Sequence, residues 1–266
     1  MSLDQIDFVC ISLDFRADRR AQIKDMFEQL GISDRINWWI VSKHPQGGIY
    51  GCFESHYSVW NCPQFKRPYL CVFEDDLGIN PLSFGASTSA STGSTGSSRN
   101  QSRSDPKERF KALLKYVQRN CPRKFDLINL EPKLGFKQDL ISKELGEVWT
   151  GFFFHTGSYI VSRASLPEIS TRIRSWYGMD IDTSLYQNCR MAGLFPPMFI
   201  QIDQDSNNDG GWRDLFGRSS PQRRTQSISQ SNQPWWGWLI AEMAQLGSWY
   251  LLLGKAQPEL IDRRIK

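Results

Sequence analysis

Three consecutive acids, Glu74, Asp75 and Asp76, stand directly behind the apolar run Tyr69-Leu70-Cys71-Val72-Phe73. A divalent cation that bridges two phosphates needs hard oxygen ligands on a short, rigid stretch of backbone, and such a cluster supplies them. There the ion acts as a Lewis acid and neutralises a departing diphosphate. Strand alternation, continued past Phe73, puts Glu74 and Asp76 on one side and Asp75 on the other. The bland alternative is a solvated strand end carrying three harmless acids.

A second acidic pair, Asp180 and Asp182, flanks Ile181. Asp182 reads as a helix N-cap and Asp180 as a loop residue. Alternatively, one of the two is the carboxylate that takes a proton from an attacking hydroxyl. Arg16, Arg19 and Arg20 follow the first apolar run. There, guanidinium groups and a helix N-terminus can jointly hold phosphate oxygens; a solvated helix start is the alternative. His56 suits either a metal-site or donor contact or a helix surface. His155, among phenylalanines, suits a buried, hydrogen-bonded role.

These residues need elements to position them. Asp7-Phe8-Val9-Cys10-Ile11-Ser12-Leu13 is a continuous apolar run, as expected of a strand buried on both faces. Ile23, Met26, Phe27 and Leu30 then recur at helical spacing up to Gly31, with Asp18 as the expected N-cap. Further strands are expected over residues 37–41, 69–73, 125–130, around Tyr159-Ile160-Val161, and over 198–202. Helices are expected over 50–60, 107–119 and 167–176. The acids at the carboxyl end of the 69–73 strand stand where an open α/β sheet binds its ligands.

Residues 83–105 are low-complexity Ser/Thr/Gly and lack apolar anchors, so they read as a disordered, tolerated surface insertion rather than a lid. Residues 211–233 form an Arg/Ser/Gln-rich linker. Residues 234–266 form a hydrophobic helical appendage with Trp235, Trp236, Trp238 and Trp249. Glu242 and Gln245 make a membrane-spanning role for 235–253 costly. Peripheral contact with a bilayer interface and packing on the catalytic core both remain open.

The chain has 266 residues, 40% hydrophobic and 13% aromatic, which suits one large α/β domain (residues 1–210) with an appendage. A net charge of +4 is too mild for binding nucleic acid by phosphate neutralisation, and no nucleic-acid partner is expected. The six cysteines form no CxxC pair, so a structural zinc is not expected. Met1-Ser2-Leu3-Asp4-Gln5 lacks a basic start, so the expectation is no signal peptide, reduced thiols and a cytoplasmic protein, with membrane association left to the appendage.

The motifs also stand in a known order. The run from Phe8 to Asp14-Phe15-Arg16-Ala17-Asp18-Arg19-Arg20 resembles the opening of glycosyltransferase family 25, a strand followed by "NLDRR" and a short run ending in Arg-Arg. Gly48-Ile49-Tyr50-Gly51-Cys52-Phe53-Glu54-Ser55-His56-Tyr57-Ser58-Val59-Trp60 resembles its "GEIGCxxSHxxxW". The strand ending in Glu74-Asp75-Asp76 resembles its "EDD" strand. Phe125-Asp126-Leu127-Ile128-Asn129-Leu130 resembles "WDxxxL", and Gly157-Ser158-Tyr159-Ile160-Val161-Ser162-Arg163 resembles "GxxYxISR". Asp180-Ile181-Asp182 falls at the family's "xxD" helix start, and Gln204-Asp205-Ser206 near its terminal "QxxS".

The resemblance spans about residues 7–208, to a family of bacterial lipopolysaccharide galactosyltransferases and of collagen galactosyltransferases in animals and large DNA viruses. It implies a Rossmann-like GT-A fold, a UDP-sugar donor (often UDP-galactose), Mn²⁺ or Mg²⁺, and inversion to a β-linkage onto a glycan, glycoprotein or lipid acceptor. It places Asp76 and Glu74 at the metal, Glu74 and Asp75 with His56 at the donor, and Ser12, Arg16 and Arg19 in the nucleotide pocket. Asp180 and Asp182 face the donor sugar or the acceptor. Two departures stand out: Ile49 replaces the glutamate of "GEIGC", and Ser12 the usual asparagine. Loss of the first carboxylate motivates an alternative, a weakly active or inactive nucleotide-sugar-binding or glycan-binding protein of the same fold. A membrane-associated scaffold or nucleic-acid binder ranks third.

Overall fold

The structure is a computed structural model that describes residues 3–84, 105–133 and 135–202. The interior of the Ser/Thr/Gly segment, Gln204-Asp205-Ser206, the linker and the 235–253 helix lie outside the described residues. Among the described residues, no helix is long and apolar enough to cross a membrane.

The chain runs β1 (Ile6–Leu13), α1 (Ala17–Leu30), β2 (Ile36–Val41), α2 (Gly48–Asn61), β3 (Tyr69–Glu74) and β4 (Leu77–Ile79). It continues through α3 (Pro106–Asn120), β5 (Leu127–Asn129), β6 (Gly135–Ser142), β7 (Glu147–Phe153) and β8 (Ser158–Ser162). It closes with α4 (Leu166–Ile173), α5 (Ile181–Asn188), β9 (Met191–Phe195) and β10 (Phe199–Gln201). Eight strands form one sheet in the order β2-β1-β3-β8-β5-β9-β7-β6, and β4 pairs with β10 apart from it. Only β8 and β7 oppose the common strand direction, because both pair antiparallel with their neighbours. This is a mixed α/β, Rossmann-like sheet.

Strand alternation sorts the core into two layers. Phe8, Cys10, Cys71 and Phe73 face α1 and α3, whereas Val9, Ile11, Leu70 and Val72 face α2, α4 and α5. Helix α1 buries Ile23, Met26, Phe27 and Leu30, the stripe read from the sequence. Phe27 meets Phe73 edge-on at 5.3 Å between ring centroids, and truncating it to alanine is expected to cost about 3–5 kcal/mol. The helix stops at Gly31, whose φ of 69° is the left-handed cap that glycine adopts without penalty.

Three sequence expectations need correction. Asp18 does not cap α1: the helix starts at Ala17, and the Asp18 carboxylate pairs instead with Arg16 at 2.9 Å. Asp180, not Asp182, caps α5, accepting the Thr183 N–H at 3.2 Å. Ser83 and Asp105, read as ends of the insertion, belong to ordered elements, Ser83 as the buried residue of a 3-10 turn and Asp105 as the N-cap of α3.

The topology also fixes where a ligand can reach the backbone. From β1 the chain passes through α1 to β2 on one side, then through α2 to β3 on the other. The carboxyl ends of β1 and β3 therefore flank a switch point, the crevice where open α/β sheets take their ligands.

Candidate active site

Strand β3 delivers Glu74 as its last residue, and β4 begins at Leu77, so Asp75 and Asp76 occupy the turn between them. Alternation holds for the first two acids and fails at the third. Glu74 keeps the α2-facing side and accepts from His56 Nε2 at 3.2 Å. Asp75 and Asp76 both turn to the opposite side, 3.3 and 3.5 Å from Arg19 Nη1. The expected pairing of Glu74 with Asp76 on one side is thus replaced by Asp75 with Asp76, because the strand ends at Glu74.

Arg19 is almost wholly buried and lies between two carboxylates that are equally buried. One guanidinium does not neutralise three acids, and the imbalance is visible. Asp75 Oδ2 is buried without a hydrogen-bond partner. Burial raises the Asp75 carboxyl above its usual range against the pull of the Ser12 hydroxyl and of Arg19. Burial and the neighbouring Glu74 charge push Asp76 up to about 6, although Gln201 Nε2 donates to its Oδ2 at 2.7 Å. Glu74 behaves oppositely: burial raises it, but the His56 hydrogen bond, with Arg19, outweighs this and holds it low.

The other predicted residues divide. Ser12 is buried at the end of β1 and accepts from Arg20 Nη1 at 2.9 Å; Arg20 Nη2 also donates to the Asp14 carbonyl. Arg16 lies beside them but is engaged with Asp18. His56 is buried on α2 rather than on its surface, with Nδ1 2.8 Å from Tyr159 Oη. His155 is half-buried, and desolvation lowers its ring to about 4.

Asp180 and Asp182 sit at the start of α5. Asp182 accepts three hydrogen bonds from the turn before β8, from His155 N at 2.8 Å, Thr156 N at 2.9 Å and Thr156 Oγ1 at 2.6 Å. His155 there adopts φ 64°, an uncommon conformation for a non-glycine residue, and the Asp182 carboxylate holds it. Burial and the Asp180 charge nevertheless push Asp182 up to about 7. Burial also raises Asp180.

One acid escaped the sequence reading. Glu131 is 2% exposed just beyond β5, and burial together with the Glu74 and Asp76 charges pushes it up to about 8 against Lys133. Its Oε1 has no hydrogen-bond partner, and Lys133 Nζ lies 3.7 Å away. Gly157 makes room for it: a Cβ there would stand 2.4 Å from Glu131 Oε2. The available signal was an acid at the carboxyl end of an apolar strand, the same signal that marked Glu74.

No family model matches the chain, and no curated protein matches it. Among solved structures it is distantly similar to the A197 protein from STIV, with 10% identity, 71% of this chain and 81% of that one covered, and a TM-score of 0.36. It is similar at 13% identity to a glycosyltransferase involved in the glycosylation of the major capsid of PBCV-1, covering 65% and 66% with a TM-score of 0.32. An apo UDP-glucose pyrophosphorylase is similar at 12% identity, covering 73% and 76% with a TM-score of 0.37. Likeness at this level bears on none of the chemistry.

Proposed function

We propose that the chain is a metal-dependent inverting glycosyltransferase of the GT-A type. It moves a hexose, galactose as the leading choice, from a UDP-sugar to a hydroxyl of a glycan, lipopolysaccharide or hydroxylysine-type acceptor. One observation carries this reading: the buried turn after β3, at the switch point, holds more negative charge than its buried arginine balances and leaves Asp75 Oδ2 unpartnered. A hard divalent cation fits that surplus. Asp76 and Asp75, which share one side of the turn, would hold Mn²⁺ or Mg²⁺, which supplies charge neutralisation to the diphosphate leaving group, while Glu74 stays with His56 on the other side.

The chain's own residues do the rest. Arg16 and Arg19, with the amino end of α1, attract the diphosphate. Asp182 is committed to the turn before β8, so Asp180 is the better candidate to take the proton from the acceptor hydroxyl. Burial raises its carboxyl, which strengthens it as a base.

A thermal-shift series with UDP, UDP-galactose and UDP-glucose, each with and without Mn²⁺, tests the reading. Stabilisation is expected only when nucleotide and metal are both present, about 2.7 kcal/mol at a hundredfold excess over Kd. If no UDP compound moves Tm under any metal condition, the reading fails. Binding without UDP release on any acceptor would favour the inactive alternative that Ile49 motivates.

A further inference from the structure

We propose that Trp60, Tyr159 and His56 form a directed hydrogen-bond chain that fixes the His56 proton on Nε2, making His56 the positioning residue for Glu74. The inference takes from the preceding reading only the statement that Glu74 belongs to the donor site.

The chain joins two elements. Cys52, His56 and Trp60 follow one another at four-residue spacing on α2, so they share a stripe. Tyr159 on β8 stands opposite Val72 of β3, so it points to the same α2-facing side as Val72 and Glu74. All three ring side chains are at most 3% exposed. Water therefore does not complete their hydrogen bonding.

The direction follows from donor inventory. An indole N–H only donates. Trp60 Nε1 lies 2.7 Å from Tyr159 Oη, so the phenol accepts there. The phenolic O–H then needs an acceptor, and among the described residues its one other partner is His56 Nδ1 at 2.8 Å. Nδ1 therefore contributes its lone pair, and the proton of the neutral ring is on Nε2. That N–H meets Glu74 Oε1 at 3.2 Å. Every donor in the series finds an acceptor.

The opposite tautomer breaks the series at two places. Nδ1–H would aim a second donor at Tyr159 Oη and leave the buried O–H without an acceptor. It would also set the Nε2 lone pair against the Glu74 carboxylate. The same count decides a competing use of this place. Cys52 Sγ, a His56 ring nitrogen and a Glu74 oxygen all lie within 4.8 Å of one another, a thiol–imidazole–carboxylate set of the kind that zinc takes, and Nε2 is the nitrogen that faces Glu74. Ligation through Nε2 requires the tautomer that Trp60 and Tyr159 exclude. The chain reserves the position for a proton and holds Glu74 on the α2-facing side of the sheet.

The test uses the full chain labelled with ¹⁵N-histidine, with His56 assigned by loss of its signals in His56→Gln. Long-range ¹H–¹⁵N correlation at a pH where the ring is neutral is expected to show Nε2 protonated and Nδ1 bare. In Tyr159→Phe that pattern gives way to mixed tautomers, and one equivalent of ZnCl₂ moves the His56 signals in this variant but not in the wild type. Protonation at Nδ1, at both nitrogens, or stoichiometric zinc capture by the wild type overturns the proposal. So does a Tyr159→Phe spectrum identical to wild type. The wild-type spectrum stands even where a variant fails to fold. In nucleotide titrations with Mn²⁺, His56→Asn is expected to weaken binding at least tenfold more than His56→Gln, which keeps a donor near Nε2, and equal losses in the two variants would overturn the proposal. A wild type that shows the expected tautomer yet binds no UDP refutes the functional reading and leaves this one standing.

Discussion

The two acidic sites look alike in the sequence and differ in what surrounds their carboxylates. At the start of α5, Asp182 accepts two backbone N–H groups and a hydroxyl, and Asp180 caps the helix. At the turn after β3, Asp75 and Asp76 share one guanidinium, and one oxygen has no partner. Of the first pair, Asp182 holds the protein together. The second holds unbalanced charge at the point where the sheet admits a ligand. Buried acids are thus told apart by whether the fold already satisfies them.

The sharpest way to break this contrast is Asp76→Asn. It is expected to lower UDP release by a hundredfold or more, about 2.7 kcal/mol of transition-state stabilisation, while raising Tm without ligand at pH 8. The sign follows from its carboxyl, raised from 3.8 to about 6: the native state keeps a proton that the unfolded chain has released, so stability falls as pH rises through that window. A drop in Tm at pH 8 would place Asp76 with the structural acids.

Asp182→Ala should do the reverse, costing about 3 kcal/mol of stability in urea unfolding by stripping three hydrogen bonds from the turn at His155. Unchanged unfolding would sink the structural assignment. Glu131→Gln tests the charge surplus from a third side. Because Glu131 is raised from 4.5 to about 8, wild-type stability should decline between those pH values, and the variant should remove most of that decline. Parallel stability–pH curves for the two proteins would count against the surplus. Asp180→Ala should cost only about 1 kcal/mol as a lost N-cap, while slowing turnover more than nucleotide binding. Loss of binding alone would remove it as the base.

What was legible in the sequence follows the physics of each element. β1 and β3 could be read because they are continuous apolar runs, α1 because its apolar residues recur at helical spacing, and the acids of β3 because they end such a run. The β6–β7 hairpin was missed: Lys137, Gln138 and Asp139 are exposed on its outer strand and leave no alternation to see. Tyr159, Trp60 and His56 were visible as separate motif positions, but only the antiparallel pairing of β8 with β3 brings them together. A single acid before Pro132 looks like an ordinary loop residue; the significance of Glu131 lies in the charges of Glu74 and Asp76 at the end of β3 and in the turn after it.

Strand β2 carries a consequence for handling the protein. It is an edge of the main sheet, and its sequence, Ile-Asn-Trp-Trp-Ile-Val, contains neither charge nor proline. Trp38 packs on Phe27 and Trp39 on Phe65, so neither can be replaced freely. Ile40 is 47% exposed on the same edge. A hexapeptide of this composition, at a sheet edge among the described residues, is a template for intermolecular strand addition. Lysine at position 40 would act as a gatekeeper there, and light scattering on concentration should show Ile40→Lys remaining monodisperse where the wild type begins to aggregate.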